Sequence, residues 1–426
     1  VTFAYKLSYF MVLYTGIAFT ILWPDCKRER VDGVIRITRI ALVLCLAAGV
    51  AYADAEGERA RDILASAPII DGHNDLPWVL RNAADGNVDA AEIVNPSAPD
   101  TDIERLRQGG VGAQFWSVYV PSSIETAESV RVQLEQIDLA RRMIDANPDA
   151  FELALSTDDI LRIENDGRIA SLLGIEGAHT FANSIALMRS YYGLGVRYAT
   201  LTHFHSTDWA DSATGDVISE GLSDFGRDVV REMNRIGMMV DVAHVSEATL
   251  FDVLEVTQAP VIFSHTAARA LTDHPRNLTD TALRAVADNG GVVMVYFIPI
   301  FISEPARRWS DGLMPSLATA KDDADWQRIM NEYVAENGEP ARATLSDVAD
   351  HIEHISRIAG IDHVGIGADF YGASSDREIV QGLEDVSKYP DLFAELIRRG
   401  WTDEDLRKLA RENVLRVMND VEAAAQ

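Results

Sequence analysis

The sequence predicts an α/β protein, a (β/α)8 barrel forming one domain over residues 54–426. Three observations carry this expectation: eight short β-rich runs, helix-period stretches between them, and polar residues collected where the runs end. The runs are Pro68-Ile69-Ile70, Gly112 to Val120, Ile169 to Ile175, Val196 to Leu201, Met238 to Val242, Pro260 to Phe263, Val292 to Phe297 and Val364 to Ala368. Most are apolar on both faces, as parallel strands buried between helices must be. Ala127 to Ile144 carries apolar residues at 130, 134, 137 and 140, close to one helical face. Phe225 to Ile236 and Leu345 to Ile358 read the same way, and Thr402 to Val417 opens with a Thr402…Asp405 capping pattern. Two connections read as long loops, 79–108 after the first strand and 298–344 after the seventh. Loops of that length above a barrel's C-terminal face often cover a site.

Composition narrows the function. The 426 residues include 66 acidic and 38 basic ones, a formal charge of −28, with 47% hydrophobic and 24% charged residues. This is globular composition, and the acidity argues against nucleic acid, which needs a cationic face to displace counterions. The two cysteines, Cys26 and Cys45, fall in a leader expected over residues 1–53. Within it, the charge-free run Ile40 to Ala53 follows Arg36 and Arg39 and ends in Ala51-Tyr52-Ala53, a secretory signal with Asp54 as first mature residue. The earlier charge-free run, Leu7 to Pro24, fits either a mis-set start, with translation beginning at Val31 or Val34, or a membrane anchor. The expected location is therefore periplasmic or extracellular, with membrane attachment only through an uncleaved leader. Without cysteine, a mature chain has no thiolate metal sites, disulfides or cysteine nucleophile, so any metal must sit on nitrogen and oxygen.

The strand ends concentrate the chemistry. They deliver Asp71-Gly72-His73-Asn74-Asp75, Glu176, His203, Asp241 and His244, His265, and Asp369. Parallel strands share one C-terminal end, so these residues converge there. His73 and Asp75 share a strand face and suit one cation, His244 and His265 a second, and Glu176 lies between the pairs in strand order, where it would bridge both. Nitrogen and oxygen donors of this kind suit zinc, with manganese or cobalt as alternatives. Two such ions sharing a water would acidify it into a nucleophile. Each residue also has a plain structural reading: a hydrogen-bonded histidine at a strand end, Glu176 as an N-cap partner, Asp369 capping its own helix. The conjunction argues for metal, because burying several ionisable groups together is costly without compensation. His205 shares the parity of His203, and the pattern does not choose between them. His179 reads as orienting a ligand, and His351 and His354 as solvated on an exposed helix.

IIDGHNDLPW (69–78), GGVGAQFWSVYVP (109–121), GIEGAH (174–179), GVRYATLTH (195–203), VDVAHVS (240–246), VIFSHTAAR (261–269), RNLTD (276–280) and VGIGADF (364–370) together resemble the membrane (renal) dipeptidase family, the M19 zinc dipeptidases with amidohydrolase-type barrels. The resemblance spans most of residues 65–418. It implies hydrolysis of dipeptides with two Zn2+ per chain, held by His73, Asp75, Glu176, His244 and His265. It also implies that His203 contacts the scissile carbonyl oxygen, that Arg276 grips the substrate carboxylate, that Asp369 handles the proton, and that the chain is a homodimer. Two departures, Tyr371 where the family has Asp and Asp208 where proline is common, bear on substrate preference more than on catalysis. The competing readings are another binuclear amide or lactone hydrolase, and a non-catalytic exported barrel that binds peptides.

Overall fold

A computed structural model describes residues 55–90, 100–321, 323–372 and 379–426. The expected leader, with Cys26, Cys45 and the Ala51-Tyr52-Ala53 signal, lies outside the described residues. Gly57–Gln426 folds as one compact unit. Among the described residues no helix is long and apolar enough to cross a membrane.

Among the described residues nine strands form one parallel sheet: β1 (Ile69–Asn74), β2 (Val111–Ser117), β3 (Phe151–Leu153), β4 (Ile169–Glu176), β5 (Val196–Thr200), β6 (Met239–Asp241), β7 (Ile262–Thr266), β8 (Val292–Val295) and β9 (Val364–Ile366). Their order is β2-β1-β9-β8-β7-β6-β5-β4-β3, and a further β2–β4 pairing closes eight of them into a barrel. The eight expected runs are those eight strands. The ninth, β3, falls outside the expected runs. One edge of β4 pairs with β2 along Ala170–Gly174, so β3 adds to the other edge at Ile169–Ser171, ahead of β5. β3 carries the Glu152 carboxylate at its centre and is only partly buried, so it lacks the apolar run that marks the equally short, fully buried β6 and β9. The sixth expected run, β7, begins at Ile262 rather than Pro260 and runs on through His265. Proline has no N–H for a ladder, and the pairing with β8 continues to Thr266.

β1, β2, β4, β7 and β8 are buried at every position, as strands between a barrel interior and a helical coat must be. The expected helices are present as Thr126–Ala146, Asp224–Ile236 and Leu345–Ala359. The Thr402…Asp405 capping box opens Asp403–Arg407, which passes through a π-turn into Asn413–Ala424.

The connection after β8 is not an irregular loop. It contains helices Pro299–Ile302, Glu304–Leu317 and Asp323–Asn337. Leu313, Ile329 and Met330 form a small core there, with Trp309, Leu317, Trp326 and Tyr333 packed on it. Trp309, Leu313 and Leu317 recur at helical spacing, a period masked by Pro305, which sits harmlessly in the first turn, and by Pro315. The connection after β1 likewise holds helices Leu76–Ala83 and Ile103–Gln108.

Candidate active site

At the C-terminal end of the barrel, six strands bring four imidazoles and three carboxylates together. Glu176, the last residue of β4, is the centre. Its Oε2 lies 3.5 Å from His73 Nε2, and its Oε1 lies 3.0 Å from His244 Nε2, 3.4 Å from His265 Nε2 and 3.6 Å from His203 Nε2. His73 Nε2 is also 3.6 Å from Asp75 Oδ2 and 3.8 Å from Asp369 Oδ1. Three overlapping groups, His73–Asp75–Glu176, Glu176–His244–His265 and His73–His265–Asp369, each keep their donor atoms within 4.8 Å of one another, and all are buried.

These residues fit a divalent cation. The His73 side chain is fully buried, and among the described residues its Nε2 has no hydrogen-bond partner, an unmet atom facing the carboxylates that a cation would satisfy. Burial works against a proton on this ring, but Tyr198, Glu176 and Asp75 outweigh it and raise His73 well above the ordinary imidazole range, so a cation at Nε2 would take that proton's place. Burial pushes His244 and His265 well below the ordinary imidazole range, leaving both rings neutral and able to ligate. Burial alone would raise Glu176, but the surrounding histidines outweigh it and hold the carboxyl well below its usual range, ionised. Asp369 is pushed the other way: burial, with Asp75 and Glu176 nearby, raises it well above the carboxylate range against the pull of His73 and Arg276.

Two buried aspartates frame the site. Asp71 accepts from the backbone N–H of His73 (3.1 Å) and Ala368 (3.0 Å) and from the Tyr389 hydroxyl, tying β1 to the chain just before Asp369. Asp241 does the same between β6 and β7. It accepts from the N–H of Ala243 (3.0 Å) and Ser264 (3.0 Å) and from the hydroxyls of Ser264 (2.6 Å) and Thr200 (2.5 Å). The sequence places both aspartates at strand ends but assigns them no role. The available signal is an Asp two or three residues ahead of a His on one strand end. Just past their strands, His244 and Asp369 have φ of +66° and +61°, left-handed conformations that cost energy in a non-glycine residue and gather at functional sites.

Around the cluster, His203 is buried between the rings of Tyr119 and Phe204, at 5.1 and 4.2 Å, while His205 is exposed and pairs with Ser122 Oγ at 2.7 Å. Arg276 is 4% exposed, yet among the described residues its Nε and Nη1 have no hydrogen-bond partner; its guanidinium carbon lies 6.0 Å from the Tyr296 ring and 5.9 Å from Phe301. Among the described residues no hydrogen bond joins His179 to Glu176. Burial instead lowers His179 to about 4. His351 and His354 are not solvated: they are 1% and 7% exposed. His351 Nδ1 accepts from Ala268 N–H at 3.0 Å and its Nε2 donates to the Ile302 carbonyl at 3.1 Å, while His354 Nε2 pairs with Asp280 at 2.7 Å. Their helix faces the barrel, which a two-histidine spacing does not reveal.

Comparison with known proteins identifies the family. Residues 57–426 match the membrane dipeptidase family, peptidase family M19. Dipeptidase verJ of Clonostachys rogersoniana is 40% identical over 375 residues, covering 85% of this chain and 87% of that one. A metallopeptidase of Rhodobacter sphaeroides, solved with a phosphinate mimic of the dipeptide L-Ala-D-Ala, superposes with a TM-score of 0.67 at 25% identity, covering 83% and 99% of the two chains. The probable dipeptidase PvdM of Pseudomonas aeruginosa shares the fold, with a TM-score of 0.76 at 24% identity over 87% of this chain and 100% of that one. The chain thus belongs to the membrane dipeptidase family, and with its buried cluster of nitrogen and oxygen donors it is a metallo-dipeptidase.

Proposed function

We propose that the enzyme is a binuclear zinc dipeptidase that releases two amino acids from a dipeptide and accepts a D-residue at the C-terminal position. The observation that carries the two-ion reading is the position of Glu176, with one carboxylate oxygen facing His73 and the other facing His244 and His265. His73 and Asp75 would hold one cation, His244 and His265 the other, with Glu176 shared. When bound, the cations supply an acidified water and polarise the scissile carbonyl.

The chain's own residues do the rest. Burial lowers His203 to about 4, so at neutral pH it is an uncharged imidazole whose N–H can donate to the developing oxyanion. Asp369 takes the proton from the attacking water and returns it to the leaving amine; a carboxyl with a raised proton affinity suits both halves of that task. Arg276 supplies a buried cation with free N–H groups, a two-point partner for the substrate's C-terminal carboxylate. The D-residue reading is supported by the ligand of the Rhodobacter sphaeroides relative. Export through the leader, with the mature chain a homodimer, completes the reading and rests on the sequence.

The deciding experiment combines elemental analysis with turnover of L-Ala-L-Ala and L-Ala-D-Ala. The reading expects two zinc ions per chain, loss of both activities on chelation and recovery with zinc. A metal-free protein that stays fully active would sink it.

A further inference from the structure

We propose that the two halves of the cation site are served by separate positioning groups, Tyr198 acting through His73 and the Asp241–Ser264 pair acting through His265. The proposal rests on the two-cation reading above and assigns roles to residues outside the ligand set.

Counting hydrogens fixes both tautomers. Tyr198 Oη lies 3.1 Å from the Gly72 carbonyl, which can only accept, so the single phenolic hydrogen points there. The same oxygen lies 2.9 Å from His73 Nδ1 and is left to accept, which places an imidazole hydrogen on Nδ1 and leaves Nε2, without a partner among the described residues, as the nitrogen that would ligate. On the other side, Ser264 Oγ donates to Asp241 Oδ2 at 2.6 Å. Asp241 also takes Thr200 Oγ1 and the Ala243 and Ser264 amides, so it is fully engaged as an acceptor. Ser264 Oγ must then accept from His265 Nδ1 at 2.9 Å, and the His265 lone pair is likewise set on Nε2. Each histidine is fixed in its ligating tautomer by a hydroxyl whose own hydrogen is anchored elsewhere. Among the described residues His244 has no such support: its Nδ1 is buried without a partner.

The two devices do not overlap. Tyr198 lies on β5 and meets β1, while Asp241 and Ser264 lie on β6 and β7. Tyr198 also fills space that Gly174 leaves open, since a Cβ at 174 would collide with the Tyr198 ring. The phenol is therefore held by packing as well as by hydrogen bonds. Losing an outer partner of a ligating histidine typically weakens metal binding by about 10–100-fold.

The test is a competition titration of the full chain with chelator-buffered zinc, resolving two binding steps, on wild type, Tyr198→Phe, Ser264→Ala, Ser264→Thr and the Tyr198→Phe/Ser264→Ala double variant. Tyr198→Phe and Ser264→Ala should each weaken one step about 10–100-fold and leave the other within about threefold. The double variant should weaken both steps, and Ser264→Thr, which keeps a hydroxyl, should recover most of the loss. The melting temperature of the chelated proteins should stay close to wild type, separating positioning from general loosening. Two zinc ions in wild type with unchanged affinities in both single variants would overturn the positioning roles alone, as would a loss that falls equally on both steps or that Ser264→Thr does not recover. A wild-type stoichiometry of one would instead overturn the two-cation reading.

Discussion

His203 and His205 show what a single residue's context decides. Strand alternation puts both on one face, yet β5 ends at Thr200, and beyond a strand's last residue the period of two no longer applies. The chain turns so that His203 enters the cluster and His205 reaches solvent. Asp369 is the sharpest residue-scale test. If it moves protons, Asp369→Asn should lower kcat about 10²–10⁴-fold with the metal content unchanged, because the amide keeps the shape but not the proton affinity. Its carboxylate also lies within reach of His73 and His265, so metal content must be measured beside the rate. Loss of an ion would make Asp369 a ligand, and an undiminished rate would remove it from the chemistry.

At the scale of elements, the barrel's closeness around the site depends on glycines where two backbones meet. A Cβ on Gly367, at the end of β9, would collide with the Ser264 carbonyl of β7. Gly367→Ala must therefore push β7 outward at the residue beside His265. The expected cost is about 2–3 kcal/mol, in the range of overpacked cores, together with reduced metal content. Denaturant midpoints and elemental analysis would check this; a midpoint equal to wild type would show that β7 has slack the structure does not suggest. The helices after β8 carry a different lesson. Their apolar spacing is in the sequence, but prolines and acidic residues obscure it, and only their packing on one another shows that Leu313, Ile329 and Met330 form a core.

The whole molecule is pinned by groups that sit far from the chemistry. His351, on helix Leu345–Ala359, joins the segments that follow β7 and β8 through Ala268 and Ile302. Burial, with His354 adding its repulsion, lowers it from 6.5 to about 4, against the Ile302 bond and the attraction of Asp350 and Asp347. A second proton would have to sit on Nδ1, against the Ala268 N–H. The stability from this neutral histidine is present above about pH 6.5 and is lost as pH falls toward 4, reaching about 3 kcal/mol. Melting curves of chelated wild type and His351→Gln between pH 7.5 and 4.5 would test it. The wild type should lose more stability on acidification than the variant, and parallel curves would refute the assignment.

Local pattern along the chain already specifies the barrel, the family and the six strand ends that carry the site. Buried parallel strands appear as apolar runs, and the side chains at their carboxyl ends follow immediately in the chain, so both are short-range signals. Folding alone settles which groups hold those side chains in place. Tyr198 meets His73 across 125 residues of sequence and Tyr389 meets Asp71 across 318, and Arg276 is left with free N–H groups although it is buried. Periodicity reports a residue's nearest neighbours along the chain. A hydrogen bond or an unmet charge depends on what folding brings alongside, and no local pattern contains it.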